Sequence, residues 1–343
     1  MTKDIKNSKP SRRKVLAGAV GLAAAAGVSG LPRRIFAQTR HKVRIGYLKA
    51  IPVDGQMWLM DYLGTYAKEG LEPEFIRFNT GIEGFTALVG GSIDFITTGG
   101  VTHNFPARGQ GIVVLPNGVE VAGQIWAQPD SGINSLKDLV GKQIATTKGT
   151  TGQIFLHNVL KTVGIDSTKQ VEIVSQTMPA AVTSFIAGRV PALSTWVPFN
   201  IRVRDEMKGA KLIANAPDFY PQTGFVITAY STNKETLQNN PDLIRRLVTA
   251  WGPANEMIRT KRDESIDVLH QKYYSEVAVS DLQNTYNAVK FLPAKEWARQ
   301  AKDGELADKL DQVTKALVEI GAIEHPLSGK DYSNFSIFEK IYG

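Results

Sequence analysis

Runs of β-branched and apolar residues alternate with segments of helical periodicity, and they do so in two successive sets. The first set opens with a buried strand at 42–48. A loop, 50–55, leads into a helix that carries Met57, Trp58, Leu59, Met60, Tyr62, Leu63 and Tyr66, with Gly70 as its stop. Strands at 74–78, 93–98 and 111–115 follow, with a helix at 82–89 and a short one opening at Gly99-Gly100. The second set has a short helix capped by Ser135, strands from 143, at 171–177, 192–196 and 211–214, and helices from 154 and at 179–187. Strands that alternate with helices of about ten residues imply right-handed β-α-β units on a parallel sheet.

Two stretches, 121–128 and 224–230, read as extended chain between the sets. The expected architecture is α/β: two parallel-sheet lobes joined by two extended crossovers. Lobe one would comprise 42–125 and 226–343, and lobe two 126–225. Beyond 230 the pattern is helical, with Leu243, Leu247 and Trp251, then Leu306, Leu310, Val313, Leu317 and Ile320, at spacings of three and four.

Ligands of open parallel sheets lie beyond the carboxyl ends of the strands. That places five turns around one cleft: 49–56, 97–104, 148–153, 196–199 and 222–225. The most informative is the passage from Gln143 through Lys148, Gly149, Thr150, Thr151 and Gly152 into a helix. Strand, polar turn and helix start present unpartnered N–H groups and the positive end of a helix dipole, which suits an anion. The turn is no nucleotide P-loop, because Gly141-Lys142 is followed by Gln143. Thr98, Gly99 and Gly100 end a first-lobe strand and are the expected partner of this turn. Lys148 either adds a positive charge or stands solvated. Asp54 either caps the first helix or lines the cleft with Gln56. His103 either donates to a ligand or is structural, and Trp196 is either cleft wall or core. Thr223 falls at the return crossover, where hinge and ligand contacts could coincide.

The N-terminus reads as an address. Ser11-Arg12-Arg13-Lys14 precedes an Ala/Gly/Val/Leu stretch to about Leu31, the pattern of a twin-arginine export signal covering 1–37. This segment holds eight Lys/Arg and one Asp, which accounts for the whole net charge of +7. The remainder is balanced at 32 basic and 32 acidic residues, so a nucleic-acid partner is excluded. There are no cysteines, which rules out a lipid anchor at the cleavage site, a thiol nucleophile and Cys-ligated metal. The five histidines are scattered without metal spacing, and no cofactor site is marked.

The ordered motifs resemble a known family, over nearly all of 42–320. They are Ile45-Gly46-Tyr47, Gly91-Ser92-Ile93-Asp94-Phe95, Ser135 to Lys142, Lys148-Gly149-Thr150, and Ala187-Gly188-Arg189-Val190-Pro191-Ala192 leading to Trp196-Val197-Pro198-Phe199. The chain is similar to the periplasmic substrate-binding proteins of ABC importers for aliphatic sulfonates, taurine, nitrate and thiamine pyrimidine precursors. The resemblance implies a two-lobed, type II-like periplasmic-binding-protein fold, a small-molecule ligand, permease and ATPase partners, a monomer and a periplasmic location. It implies no enzyme activity. The related thiamine pyrimidine synthases carry a cysteine cluster that this chain lacks, and no G-x-S-x-G nucleophile elbow occurs. Two departures stand out: Pro191 and Val197 occupy positions where the family usually has acids. The expected ligand is a sulfonate-like organic anion, with an aromatic or pyrimidine-type solute as the alternative that Trp196 and Phe199 would suit.

Overall fold

Two sheets organise the chain in a computed structural model that describes residues 40–343. The expected export segment lies outside the described residues. In chain order the strands are β1 His41–Tyr47, β2 Leu71–Arg77, β3 Phe95–Thr98, β4 Ile112–Glu120, β5 Gly123–Ala127, β6 Gln143–Thr146, β7 Glu172–Ser175, β8 Ala192–Trp196, β9 Lys211–Asn215, β10 Val226–Thr232 and β11 Val289–Lys290. Helices α1 Ile51–Tyr62, α2 Thr65–Lys68, α3 Gly81–Val89, α4 Thr151–Thr162, α5 Met178–Ile186 and α6 Phe199–Glu206 lie among them. After β10 come α7 Lys234–Asn239, α8 Pro241–Thr260, α9 Arg262–Lys272, α10 Val279–Asn287, α11 Ala294–Lys302, α12 Glu305–Glu319 and α13 Ser336–Tyr342.

Among the described residues one sheet has the order β2-β1-β3-β10-β4-β11 and the other β7-β6-β8-β5-β9. The two halves repeat one plan, in which the fourth strand comes from a crossover. Neither sheet is purely parallel, which corrects the expectation from sequence. β10 runs antiparallel to β3 and β4, and β5 runs antiparallel to β8 and β9. The reason is where the chain enters. Gly123 pairs with Trp196 and Val226 with Glu120, so each crossing strand starts at the edge facing the other half and must run back against its neighbours. The chain changes sheet between Glu120 and Gly123, so the boundary expected at 125/126 falls inside β5.

Two local departures position the site. Helix α1 begins at Ile51, inside the stretch expected to be a loop, with Ala50 as its N-cap and Pro52 in its first turn. Proline there costs no hydrogen bond, since the first N–H groups of a helix have no partner, and its φ is already helical. Burial of Ile51, Pro52 and Val53 holds that turn against the core. The short helix expected after Gly99 is only a 3-10 turn, Gly100–His103.

The spacing of apolar residues in the C-terminal part is realised as core. Leu243, Leu247 and Trp251 of α8 are buried, as are Leu306, Leu310, Val313 and Leu317 of α12. Trp251 spends its one polar atom inside this core, donating to Asn117 Oδ1 at 2.9 Å. No helix among the described residues is long and apolar enough to cross a membrane.

Candidate functional site

The strand ends of both sheets converge on one enclosed space. Leu48 and Ala50 follow β1, Asn79 to Gly81 follow β2, Thr98 to Val101 continue β3, and Glu120 ends β4. From the other half come Thr147, Thr150 and Thr151 after β6, Met178 after β7, and Trp196 to Phe199 at the end of β8. The cavity measures about 90 Å³, where one water needs roughly 10–15 Å³. Its wall is mostly apolar. Trp196 and Phe199 meet edge to face, with centroids 5.4 Å apart. Val197 occupies the place between Trp196 and Pro198 and lines the same wall.

Five helices start at this space: α1, α3, α4, α5 and α6. Their caps differ in how far they satisfy their own N–H groups. Thr80 caps α3 in the usual way, its hydroxyl accepting from Glu83 N at 3.2 Å. Thr150 is the N-cap of α4 but does not cap it. Its hydroxyl donates to Thr147 O at 2.8 Å. Gly149 sits at φ +72°, which the tight turn before α4 requires.

Hydrogen bonds from one half to the other close the cavity. Gly100 N donates to Thr151 Oγ1 at 3.2 Å, and Asn104 Nδ2 donates to Gly149 O at 3.1 Å. The halves touch so closely at Gly100 that a Cβ there would lie 2.5 Å from Thr151 N. A side chain at this position would hold the halves apart.

Of the residues singled out from sequence, Thr98, Gly99, Gly100, Thr150, Thr151, Trp196 and Phe199 line the cavity. The remaining six lie elsewhere. Lys148 is exposed and borders a surface groove with Gln153 and Leu156. Gly149 lies behind the wall, its N–H donating to Gln153 Oε1 at 2.7 Å. Thr223 is half-buried in the turn before β10, its N–H donating to Phe219 O at 2.9 Å.

Asp54, Gln56 and His103 are buried supports. Asp54 is not the N-cap of α1. It sits within the first turn and reaches back, Oδ2 accepting from Ala50 N at 3.2 Å, while the Tyr274 hydroxyl donates to Oδ1. Burial pushes its carboxyl up to about 7, with the bond from Tyr274 pulling the other way. Gln56 Nε2 donates to Asn117 O at 2.8 Å, and Asn117 Nδ2 donates to Val53 O at 3.1 Å. The Thr97 hydroxyl donates to the same Val53 carbonyl, so the start of α1 is tied to β3 and β4. Burial lowers His103 to about 4, and Ile227 N donates to its Nε2 at 3.1 Å. The imidazole is therefore neutral near pH 7 and brings no positive charge to the site.

The residue that sequence reasoning missed is Glu120. It is the one ionisable side chain in the cavity wall, with no Lys, Arg or His beside it among the described residues. It is 4% exposed, and its Oε1 is buried without a protein partner. Burial pushes this carboxyl up to about 7 against a hydrogen bond with Thr151. The signal was in the sequence: one charge between Val119 and Val121, at the end of an otherwise uncharged run. Thr80, Gly81 and Met178 were also missed, because the ends of β2 and β7 were not counted among the cleft turns.

A family model described as NMT1/THI5 like matches residues 59–264. The chain belongs to that family. Among relatives of this NMT1/THI5-like protein, one from Brucella abortus named as a binding protein is 25% identical over 290 residues, 84% of this chain and 89% of the relative. A Bacillus subtilis protein named for binding aliphatic sulfonates is 28% identical over 243 residues, 68% of this chain and 67% of the relative. In structure, the chain is similar to the periplasmic aliphatic sulphonate binding protein of Escherichia coli. The TM-score is 0.65 at 21% identity, covering 85% of this chain and 91% of that one. The architecture is that of a periplasmic binding protein, and the relatives are named as binding proteins.

Proposed function

We propose that this protein is the solute-binding component of an ABC importer, exported by its twin-arginine signal and acting as a monomer in the periplasm. The observation that carries the reading is the enclosed, mostly apolar cavity between two halves that touch through Gly100–Thr151 and Asn104–Gly149. A solute docks on one half, and closure of the other buries it. Only a solute that binds the closed state better than the open one can drive that change. The closed form is then what a permease recognises.

The solute that best suits the wall is compact, with an apolar or aromatic body, of the pyrimidine type rather than a plain anion. Trp196, Phe199 and Met178 supply the apolar faces, and among the described residues no cationic side chain lines the space. A sulfonate-like anion is the second reading. It is favoured by the start of α4, where Thr150 leaves the first N–H groups uncapped.

Thermal unfolding of residues 38–343 against pyrimidines, aromatic carboxylates, alkanesulfonates, taurine and nitrate separates the two. A ligand at about 100 times its dissociation constant adds roughly 2.7 kcal/mol of stability. The first reading expects the shift with pyrimidine-type solutes. A shift with sulfonates alone would transfer the site to the second reading.

A further inference from the structure

The cavity wall contains one group that its protein surroundings leave incomplete. Glu120 ends β4 at the edge where the two halves meet. Its carboxyl is hydrogen-bonded to Thr151 of the other half, and Oε1 has no protein partner. An ionised carboxylate is an acceptor only, with room for several donors. Burying it with a single hydroxyl partner is unfavourable, and burying it beside a second negative charge is worse. A group kept in this state in a ligand cavity is completed by something the ligand brings.

We propose that Glu120 selects the solute, by accepting a hydrogen bond from an N–H group that is cationic or part of a polarised ring. This rests on the solute-binding reading above and names the solute class. Three observations converge on it. Glu120 is the one ionisable group of the wall among the described residues. Among the described residues no Lys, Arg or His lines the cavity to neutralise it. Its partner Thr151 belongs to the other half, so a solute donor that satisfies the carboxyl sits where the two halves meet. The upward shift of its pKa has the same cause: burial among so few donors favours the protonated form. The threonine hydroxyls around it, Thr98, Thr147 and Thr150, remain for neutral polar atoms of the solute.

The test uses the whole protein, freed of bound solute and incubated with a deproteinised low-molecular-weight cell extract. Retained compounds are identified by mass spectrometry. Glu120→Gln keeps an acceptor and removes the charge; Glu120→Leu removes both. Melting temperatures show that each variant is folded. The expected result is a retained compound with an amine, amidine or ring N–H, whose retention falls about tenfold to a hundredfold in Glu120→Leu, the size of a charge-assisted bond. In Glu120→Gln the loss is as large for a cationic solute and small for a neutral one. Retention of a compound without an N–H donor, such as a plain sulfonate, overturns the inference and leaves the solute-binding reading intact. So does equal retention by the wild type and a folded Glu120→Leu. Nothing retained by the wild type overturns the solute-binding reading, and the inference with it.

Discussion

Asp54 and Glu120 are both buried carboxyl groups, and burial pushes each up to about 7. Their surroundings differ. Asp54 receives bonds from Ala50 N and the Tyr274 hydroxyl, and it lies outside the cavity. Glu120 meets Thr151, has one oxygen unpartnered, and faces a space that no cationic side chain lines among the described residues. The difference teaches that burial and a displaced pKa do not by themselves mark a binding site. Asp54 is a joint within α1 that the fold completes. Glu120 is left for something else to complete.

The largest effect separates the two acids by stability. Asp54→Ala strands the Tyr274 hydroxyl and the Ala50 N–H inside the protein, and should cost about 3 kcal/mol in urea unfolding. At pH 4, where the folded carboxyl is protonated, Glu120→Gln keeps a bond to Thr151 and should stay within about 1 kcal/mol of wild type. Equal losses would erase the distinction.

Next in size is a pH effect shared by both. Each acid has a folded-state pKa near 7, above its ordinary value of 3.8 for Asp54 and 4.5 for Glu120. Between roughly pH 4 and 7 the unfolded chain has released these protons while the folded chain still holds them. The unfolded state thus binds fewer protons, and stability falls as pH rises through that window, by on the order of 3 kcal/mol per group. Urea unfolding of the solute-free protein from pH 4 to 8 should show that slope, with Glu120→Gln removing its own part and leaving that of Asp54. A profile unchanged in Glu120→Gln would mean that its carboxyl is hydrated in solution.

Much of this molecule was legible from its residues. Alternation gave the α/β halves, and β8 was placed to the residue because Ala192–Trp196 is bounded by Pro191 and Pro198. The three- and four-residue spacing in α8 and α12 marked the core. What was not legible depends on contacts between distant segments. No local signal says that 226–232 runs antiparallel between β3 and β4, since strand direction is set by where the chain enters the sheet. The same holds for the site. Thr98, Gly100, Thr151 and Trp196 were legible as cavity wall because they stand at strand ends. Gln56 and His103 looked equally suitable, and only Asn117 and Ile227, distant in sequence, show them to be occupied.

A smaller effect tests the closing contact. Gly100→Val places carbon against Thr151 and should weaken solute retention at least tenfold, about 1.4 kcal/mol, while leaving the melting temperature of the solute-free protein nearly unchanged. Retention equal to wild type would mean that the halves need not meet at Gly100. The smallest expectation is for Lys148, which is exposed and outside the cavity. Lys148→Ala should leave retention within about twofold and stability within about 0.5 kcal/mol. A larger loss of retention would restore the charge role that its place in the turn first suggested.

The central claim is that the two halves shut over a solute, and small-angle X-ray scattering tests it most directly. Solute-free protein is measured with and without the deproteinised extract, beside Gly100→Val. The account predicts that the radius of gyration falls when the extract is added to wild type and stays high in Gly100→Val. A radius that is the same with and without extract, although mass spectrometry finds a solute bound, would contradict it.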